Sequence, residues 1–285
     1  GKAFTSVTYS DVSFREPESR ADQTRMMSIV TTGPGTGYYV DIFRSRKERG
    51  GDKMHDYFYH NLGQTLTLTG TNGADLNLQP TEELAFAGAH LYAYSYIYDK
   101  KSATTDKDIK ATFTIAMPDK DDISMNLWMK GETDREVFTA LSPMPEGLSR
   151  TPGMPYNIKE QPTLTFVARQ KGEAWNRPFV AIYEPSSVKE PGCIAEVSFP
   201  EVKSKTENSA TSICVVQKDG RIDYILSSDN PTDICTSGKM SAQATYALWG
   251  NKKGDDYTFF LGHGTLLSTP NVVIKAETPA AIIVK

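Results

Sequence analysis

Cysteine is scarce in this 285-residue sequence: Cys193, Cys214 and Cys235 are the whole complement. An odd number leaves at least one thiol free or paired outside the chain. None stands in a CxxC arrangement, which removes zinc-ribbon and thioredoxin chemistry. Buried thiols behaving as small hydrophobes are the expectation, and a Cys214–Cys235 bridge across a hairpin is the alternative. No apolar run approaches the roughly 20 residues of a helical membrane span. No secretory leader opens the sequence, so any export signal is expected to have been removed. A cationic excess is also missing, with net charge −4 and a pI of about 5.7. That balance gives nucleic acid or an anionic membrane no electrostatic hold, although a local basic groove can still exist on an acidic protein. Nucleophile and phosphate motifs (GxSxG, HExxH, the P-loop, the dinucleotide fingerprint) do not occur. Gly33-Pro34-Gly35-Thr36-Gly37 is glycine-rich but reads as a turn between strands. Helical periodicity is nearly absent, so no helix longer than about three turns is expected. Thr81-Glu82-Glu83-Leu84 is the one plausible helix start, with a capping hydroxyl and early carboxylates.

A period of two is what the sequence does contain. Thr65–Thr69 alternates threonine with leucine, and ATFTIAM (111–117) and TLTFVA (163–168) repeat the pattern of half-buried strands. Tyr38–Phe43, Ile213–Val216, Tyr257–Leu261 and Ala281–Val284 are shorter β-branched or aromatic runs. Gly, Pro, Asn and Asp clusters separate them. Lys218-Asp219-Gly220-Arg221 stands between two such runs, and Asp-Gly suits a tight primed turn. The fold class is therefore all-β: an antiparallel β sandwich, supersandwich-like, with few or no long helices. One sandwich domain over 1–285 is expected, with a long proline-rich connecting loop at 142–155.

The stretch Tyr38–Gly63 is the richest in chemistry, holding His55 and His60 near Asp41 and Asp56. On a strand over 54–59 the two histidines point to opposite faces, so they are not a ligand pair. No metal or cofactor is expected. Arg44, Arg46, Lys47, Arg49 and Lys53 form a basic cluster whose guanidinium forks match carboxylates and sulfates. A solvated hairpin tip is the bland reading of that cluster. Trp128, Trp175 and Trp249 are core material or sugar-stacking faces. Trp175 stands in GEAWNRPF, beside Glu173 and Arg177, where it suits saccharide contact. The substrate-binding candidates are Arg44, Arg46, Arg49, Trp128, Trp175 and Arg177.

Three ordered patches resemble the heparinase II/III-like family of polysaccharide lyases. They are Tyr39-Val40-Asp41-Ile42-Phe43-Arg44 with Gly50-Gly51 and His55-Asp56-Tyr57-Phe58, then LWMKGE (127–132) with Arg135-Glu136-Val137-Phe138, then Pro162 through Pro185. The resemblance implies a C-terminal β sandwich that follows an α/α toroid, in enzymes that cleave uronate-containing polysaccharides by β-elimination. In that family the Tyr and His acid/base groups come largely from the toroid and the first part of the sandwich. The family's zinc segment is not carried over, because His60-Asn61 follows the Asp41–Arg44 patch instead of preceding it. No catalytic residue is assigned. The resemblance thus implies a domain that supports binding of acidic polysaccharide, such as a glycosaminoglycan, with an upstream toroid as partner if the chain is a fragment. It also implies an exported, periplasmic or extracellular setting. A stand-alone lyase using His55, Tyr57 and Arg44 is the first alternative, and a surface interaction module is the second.

Overall fold

A computed structural model describes residues 6–47, 51, 53–85, 92–118, 120–153, 156–206, 209–253 and 255–284. The chain begins with β1 (Val7–Arg15), β2 (Asp22–Thr31), β3 (Gly37–Arg46), β4 (Met54–Asn61), β5 (Thr65–Gly70) and β6 (Gln79–Pro80). After a 3-10 turn at Tyr92–Tyr96 come β7 (Tyr98–Thr105), β8 (Ile109–Ile115), β9 (Ile123–Met129) and β10 (Arg135–Ser142). Two four-residue helices, α1 (Glu146–Ser149) and α2 (Tyr156–Lys159), precede β11 (Thr163–Lys171) and β12 (Ala174–Ser187). The last part holds β13 (Ile194–Ser198), β14 (Ala210–Gln217), β15 (Arg221–Ser228), β16 (Cys235–Ser237), β17 (Met240–Lys252), β18 (Asp255–Ser268) and β19 (Val273–Val284). The proline-rich loop joins β10 to β11, which are antiparallel neighbours with Ser142 opposite Thr163. The helix start expected at Thr81 does not form. The Thr81 hydroxyl accepts the Glu83 N–H at 3.1 Å, and Leu84 turns the chain with φ 56°.

Three antiparallel sheets build an all-β sandwich. Sheet A has the order β1-β2-β3-β12-β9-β8-β5, sheet B β4-β11-β10-β7-β6, and sheet C β13-β14-β15-β17-β18-β19 with β16 beside β17. Alternation along β3 and β12 shows that sheet A lies between the other two. Tyr38, Val40, Ile42, Val180 and Ile182 pack with Ile213, Val215, Ile225, Leu248 and Phe260 of sheet C. Phe179, Ala181 and Tyr183 pack with Tyr57, Phe166 and Ala168 of sheet B. Each large apolar side chain removed from water in this way contributes about 1.5–3 kcal/mol. A third cluster, including Leu226, Trp249 and Leu261, lies on the opposite face of sheet C.

Two strand expectations are corrected. The 163–168 run is buried on both faces, not one, because Leu84, Phe58 and Tyr94 pack with Phe138 and Val167 on the outer side of sheet B. The hairpin between β14 and β15 is not a primed turn. Gly220 alone takes positive φ, 87°, and its N–H donates to the Gln217 carbonyl at 3.0 Å. Asp219 instead uses its carboxylate to accept the Arg221 N–H at 3.1 Å. The Cys214–Cys235 bridge is not formed. Cys214 stands opposite Tyr224 on β15 and Cys235 opposite Ala242 on β17, and all three thiols are free.

Candidate functional site: a bulge that presents Trp175

The register between β3 and β12 breaks at one place. Ala174 faces Ser45 and Phe179 faces Phe43, so residues 175–178 stand against Arg44 alone. Extra residues in one strand bend it and re-aim side chains. They also strand backbone groups that must find partners. Here charged side chains supply them. The Glu173 carboxylate accepts the N–H groups of Trp175 at 2.7 Å and Asn176 at 2.8 Å. Arg44 donates to the Trp175 carbonyl at 2.5 Å and to the Ser209 carbonyl at 3.1 Å. From the sheet B side, Arg135 donates to the carbonyls of Arg177 at 3.1 Å and Pro178 at 3.3 Å. Pro178 has no N–H to leave unsatisfied.

Arg44 and Arg135 are only 3% and 2% exposed, so two cations are buried on opposite sides of the central sheet to hold four residues. Burial pushes the Arg44 guanidinium down, while Asp229 and Glu173 oppose that shift. Burial likewise lowers Arg135 to about 10, with Glu132 opposing and Arg177 adding to the shift. Arg135 therefore stays charged at neutral pH. It lies 4.6 Å above the Phe179 ring and also donates to Gln170 Oε1 and the Lys130 carbonyl.

What the bulge presents is the half-buried Trp175. Its indole N–H donates to Asp229 Oδ2 at 2.5 Å, and the Arg46 guanidinium lies 4.2 Å over the ring centroid. Arg46 reaches it because, two residues after Arg44, it falls on the same face of β3. A groove of about 450 Å³ opens here between β2, β3 and the end of β15, with Asp11, Asp22, Gln23, Arg46, Trp175 and Asp229 in its wall. An aromatic face stacks on a pyranose, carboxylates accept from hydroxyls, and a guanidinium donates to a carboxylate or sulfate. The arrangement suits a saccharide that carries both hydroxyls and an anionic group.

A larger groove, about 740 Å³, runs from the sheet B side of β3, where Ser45 and Lys47 line it, round the edge strand β4 to Phe58 and Tyr94, with Lys53 and His55 also in its wall, and Gln23 borders both grooves. A closed ion pair contributes to its wall. Arg169 grips Asp56 at 2.7 and 2.8 Å, and the Tyr94 hydroxyl donates to Asp56 at 2.6 Å.

His55, Tyr57 and Arg44 do not converge. His55 and Tyr57 face sheet A from β4, whereas Arg44 points to the far side of that sheet. Tyr57 is 3% exposed. It donates to Asp41 at 2.6 Å, shares a short hydrogen bond with Tyr183, and Asp41 is itself gripped by Arg25 at 2.9 and 2.5 Å. Burial, then Tyr183 and Asp41, push the Tyr57 phenol well up. His60 points away from His55, with Nδ1 2.9 Å from the Thr165 hydroxyl. Among the described residues, no three His, Cys, Asp or Glu side chains gather as a metal site.

Trp128 is buried in the core between sheets A and C, under Lys110 at 4.9 Å. Arg177 is half-buried and donates to the Lys171 carbonyl at 2.9 Å within the bulge. Arg49 lies outside the described residues. Sequence reasoning did not single out Asp229, Gln23 and Tyr94. Asp229 carried no local signal, being 54 residues from Trp175. Tyr94 did, since four tyrosines alternate through Tyr92–Tyr98.

The class defined by this geometry is an antiparallel β sandwich with a tryptophan–arginine groove on the sheet C side of β3. The chain is 30% identical over 271 residues to an endo-acting ulvan lyase of Formosa agariphila, an alignment that covers 91% of this chain and 31% of that protein. The relation is to a polysaccharide lyase, and the match does not single out the heparinase II/III-like kind. The chain spans about a third of the length of that relative. No family model matches.

Proposed function

We propose that the chain is the saccharide-holding β-sandwich part of a polysaccharide lyase, that it binds acidic polysaccharide across the Trp175–Arg46 groove, and that it lacks a complete acid/base set. The observation that carries this reading is the presentation of Trp175. Two buried arginines and Glu173 fix the bulge, while Asp229 and Arg46 set the indole at the groove wall. Preorganised aromatic and guanidinium groups bind without losing side-chain freedom at the moment of contact. Elimination needs a base at the proton it removes. The Tyr57 phenol, pushed up and already donating to Asp41, is poorly suited to that role. In a longer protein of this kind the acid and base would come from the part that this chain does not span. Action on such a polymer implies an exported setting. No helix among the described residues is long and apolar enough to cross a membrane.

Calorimetric titration with ulvan, heparin and a neutral glucan tests the reading. Binding is expected for at least one of the two polyanions and not for the glucan. Trp175→Ala and Arg46→Ala are each expected to weaken binding at least about tenfold, close to 1.4 kcal/mol, with melting temperatures near the parent value. Which polyanion binds decides between ulvan-type and glycosaminoglycan-type substrates. Unchanged affinity in both variants would overturn the assignment.

The second reading is a lyase active by itself, favoured by the presence of His55, Lys47 and Lys53 in the larger groove. It requires the purified chain to raise the absorbance of unsaturated product, and His55→Ala to abolish that rise. A flat trace from the parent chain sinks it.

A further inference from the structure

The basic cluster of residues 44–53 is split by strand geometry. Arg44 and Arg46 project to the sheet C side of β3, while Ser45 and Lys47 line the groove on the sheet B side. The two grooves are therefore not independent features of the surface. They lie back to back at one end of the central sheet, and Gln23 borders both. Register explains the shared residue: Gln23 on β2 pairs with Ser45, next to Arg46, at the last rungs of the β2–β3 ladder. β3 ends at Arg46, so the ladder that separates the two sides stops at the Asp22–Arg46 rung.

The lining is similar in kind on both sides. The smaller groove offers Trp175 and Arg46. The larger offers Phe58, Tyr94, Lys47 and Lys53, with His55 beside them. Neither is uniformly basic. Asp11, Asp22 and Asp229 line the first and Glu82 and Glu83 the second, which suits a polymer whose hydroxyls need acceptors as well as one whose anions need donors. Each volume is that of a small-molecule site, so neither alone is a cleft for a long chain.

We infer that the two grooves are consecutive subsites of one track for an extended acidic polysaccharide, which crosses the end of sheet A over the Asp22–Arg46 and Gln23–Ser45 rungs. This rests on the reading proposed above and adds a length requirement to it. Two weak subsites joined by one ligand act with an effective concentration set by their separation, so affinity rises once the ligand spans both. Short oligosaccharides occupy the Trp175 subsite alone. Longer ones reach Lys47 and Lys53.

The experiment is calorimetric titration with size-fractionated ulvan oligosaccharides, tetra- to decasaccharide, on the parent chain, Trp175→Ala and the double variant Lys47→Ala/Lys53→Ala. For the parent, affinity is expected to rise at least about tenfold between the shortest and longest ligands. The double variant should keep the tetrasaccharide affinity and lose the rise, while Trp175→Ala should weaken binding at every length. An affinity independent of length, or a rise preserved in the double variant, overturns the track. If Trp175→Ala still weakens binding in that case, the Trp175 site stands and only the second subsite falls. If Trp175→Ala changes nothing at any length, the site and the track fall together.

Discussion

At the scale of single residues, burial sets the chemistry of the thiols as firmly as it sets that of the arginines. Desolvation pushes Cys193 up to about 11, with the Thr32 hydroxyl opposing and Glu184 adding to the shift. Burial raises Cys214 and Cys235 as well. A thiolate is the reactive form, so native protein is expected to label slowly with a disulfide reagent at pH 8 and denatured protein to release three thiols. One thiol on denaturation would reveal the Cys214–Cys235 bridge that the structure does not contain. The pH dependence has a definite sign. A group whose folded value is raised holds its proton in the native state where the unfolded thiol gives it up. The Cys193 contribution is thus complete below pH 9 and is lost as pH rises toward 11. Cys193→Ala should flatten that part of the stability curve measured by urea denaturation.

At the scale of elements, the β12 bulge is the feature on which the site depends. Removing Arg135 strands the carbonyls of Lys130, Arg177 and Pro178 together with Gln170 Oε1. Buried acceptors left unpaired cost about 1–3 kcal/mol each before relaxation. Arg135→Ala is accordingly expected to lose about 3 kcal/mol or more in urea denaturation, and to lower polysaccharide affinity through the loosened Trp175. Arg135→Lys should recover only part of this, since one ammonium cannot reproduce the guanidinium fork. A fully stable Arg135→Ala protein would show that the bulge holds itself. The β14–β15 hairpin is the contrasting case. Its position was legible from Asp-Gly, but its turn type was not. One left-handed glycine and a carboxylate accepting a nearby N–H satisfy the same connection that two left-handed residues would.

For the whole molecule, the central sheet shares its strands between two cores. β3 and β12 give alternate residues to the core with sheet C and to the core with sheet B. Losing either outer sheet exposes one face of the same strands. We propose that residues 1–285 behave as one domain, and calorimetry should then give one endotherm whose calorimetric and van't Hoff enthalpies agree. Two resolved transitions would instead divide the chain between sheets. The extent of sheet A also has a surface consequence. Sheet B pairs five strands against its seven, and Val12, Met27 and Ile29 on β1 and β2 remain about half exposed.

The sequence by itself determined that this protein is built of antiparallel strands, because period-two alternation and turn residues are local signals that need no partner to be read. It also carried the basic run after Asp41 and the GEAWNRPF segment as separate candidates. Only the tertiary structure decided that Arg46 and Trp175 meet, since they are 129 positions apart and sit on strands whose neighbours are fixed by long-range pairing. Strand parity then sorted the candidates. It sent Arg44 inward to bond carbonyls, kept Arg46 at the groove, and set His55 and Tyr57 on the other side of the sheet. Which face a residue takes follows from register, and register is a property of the assembled sheet.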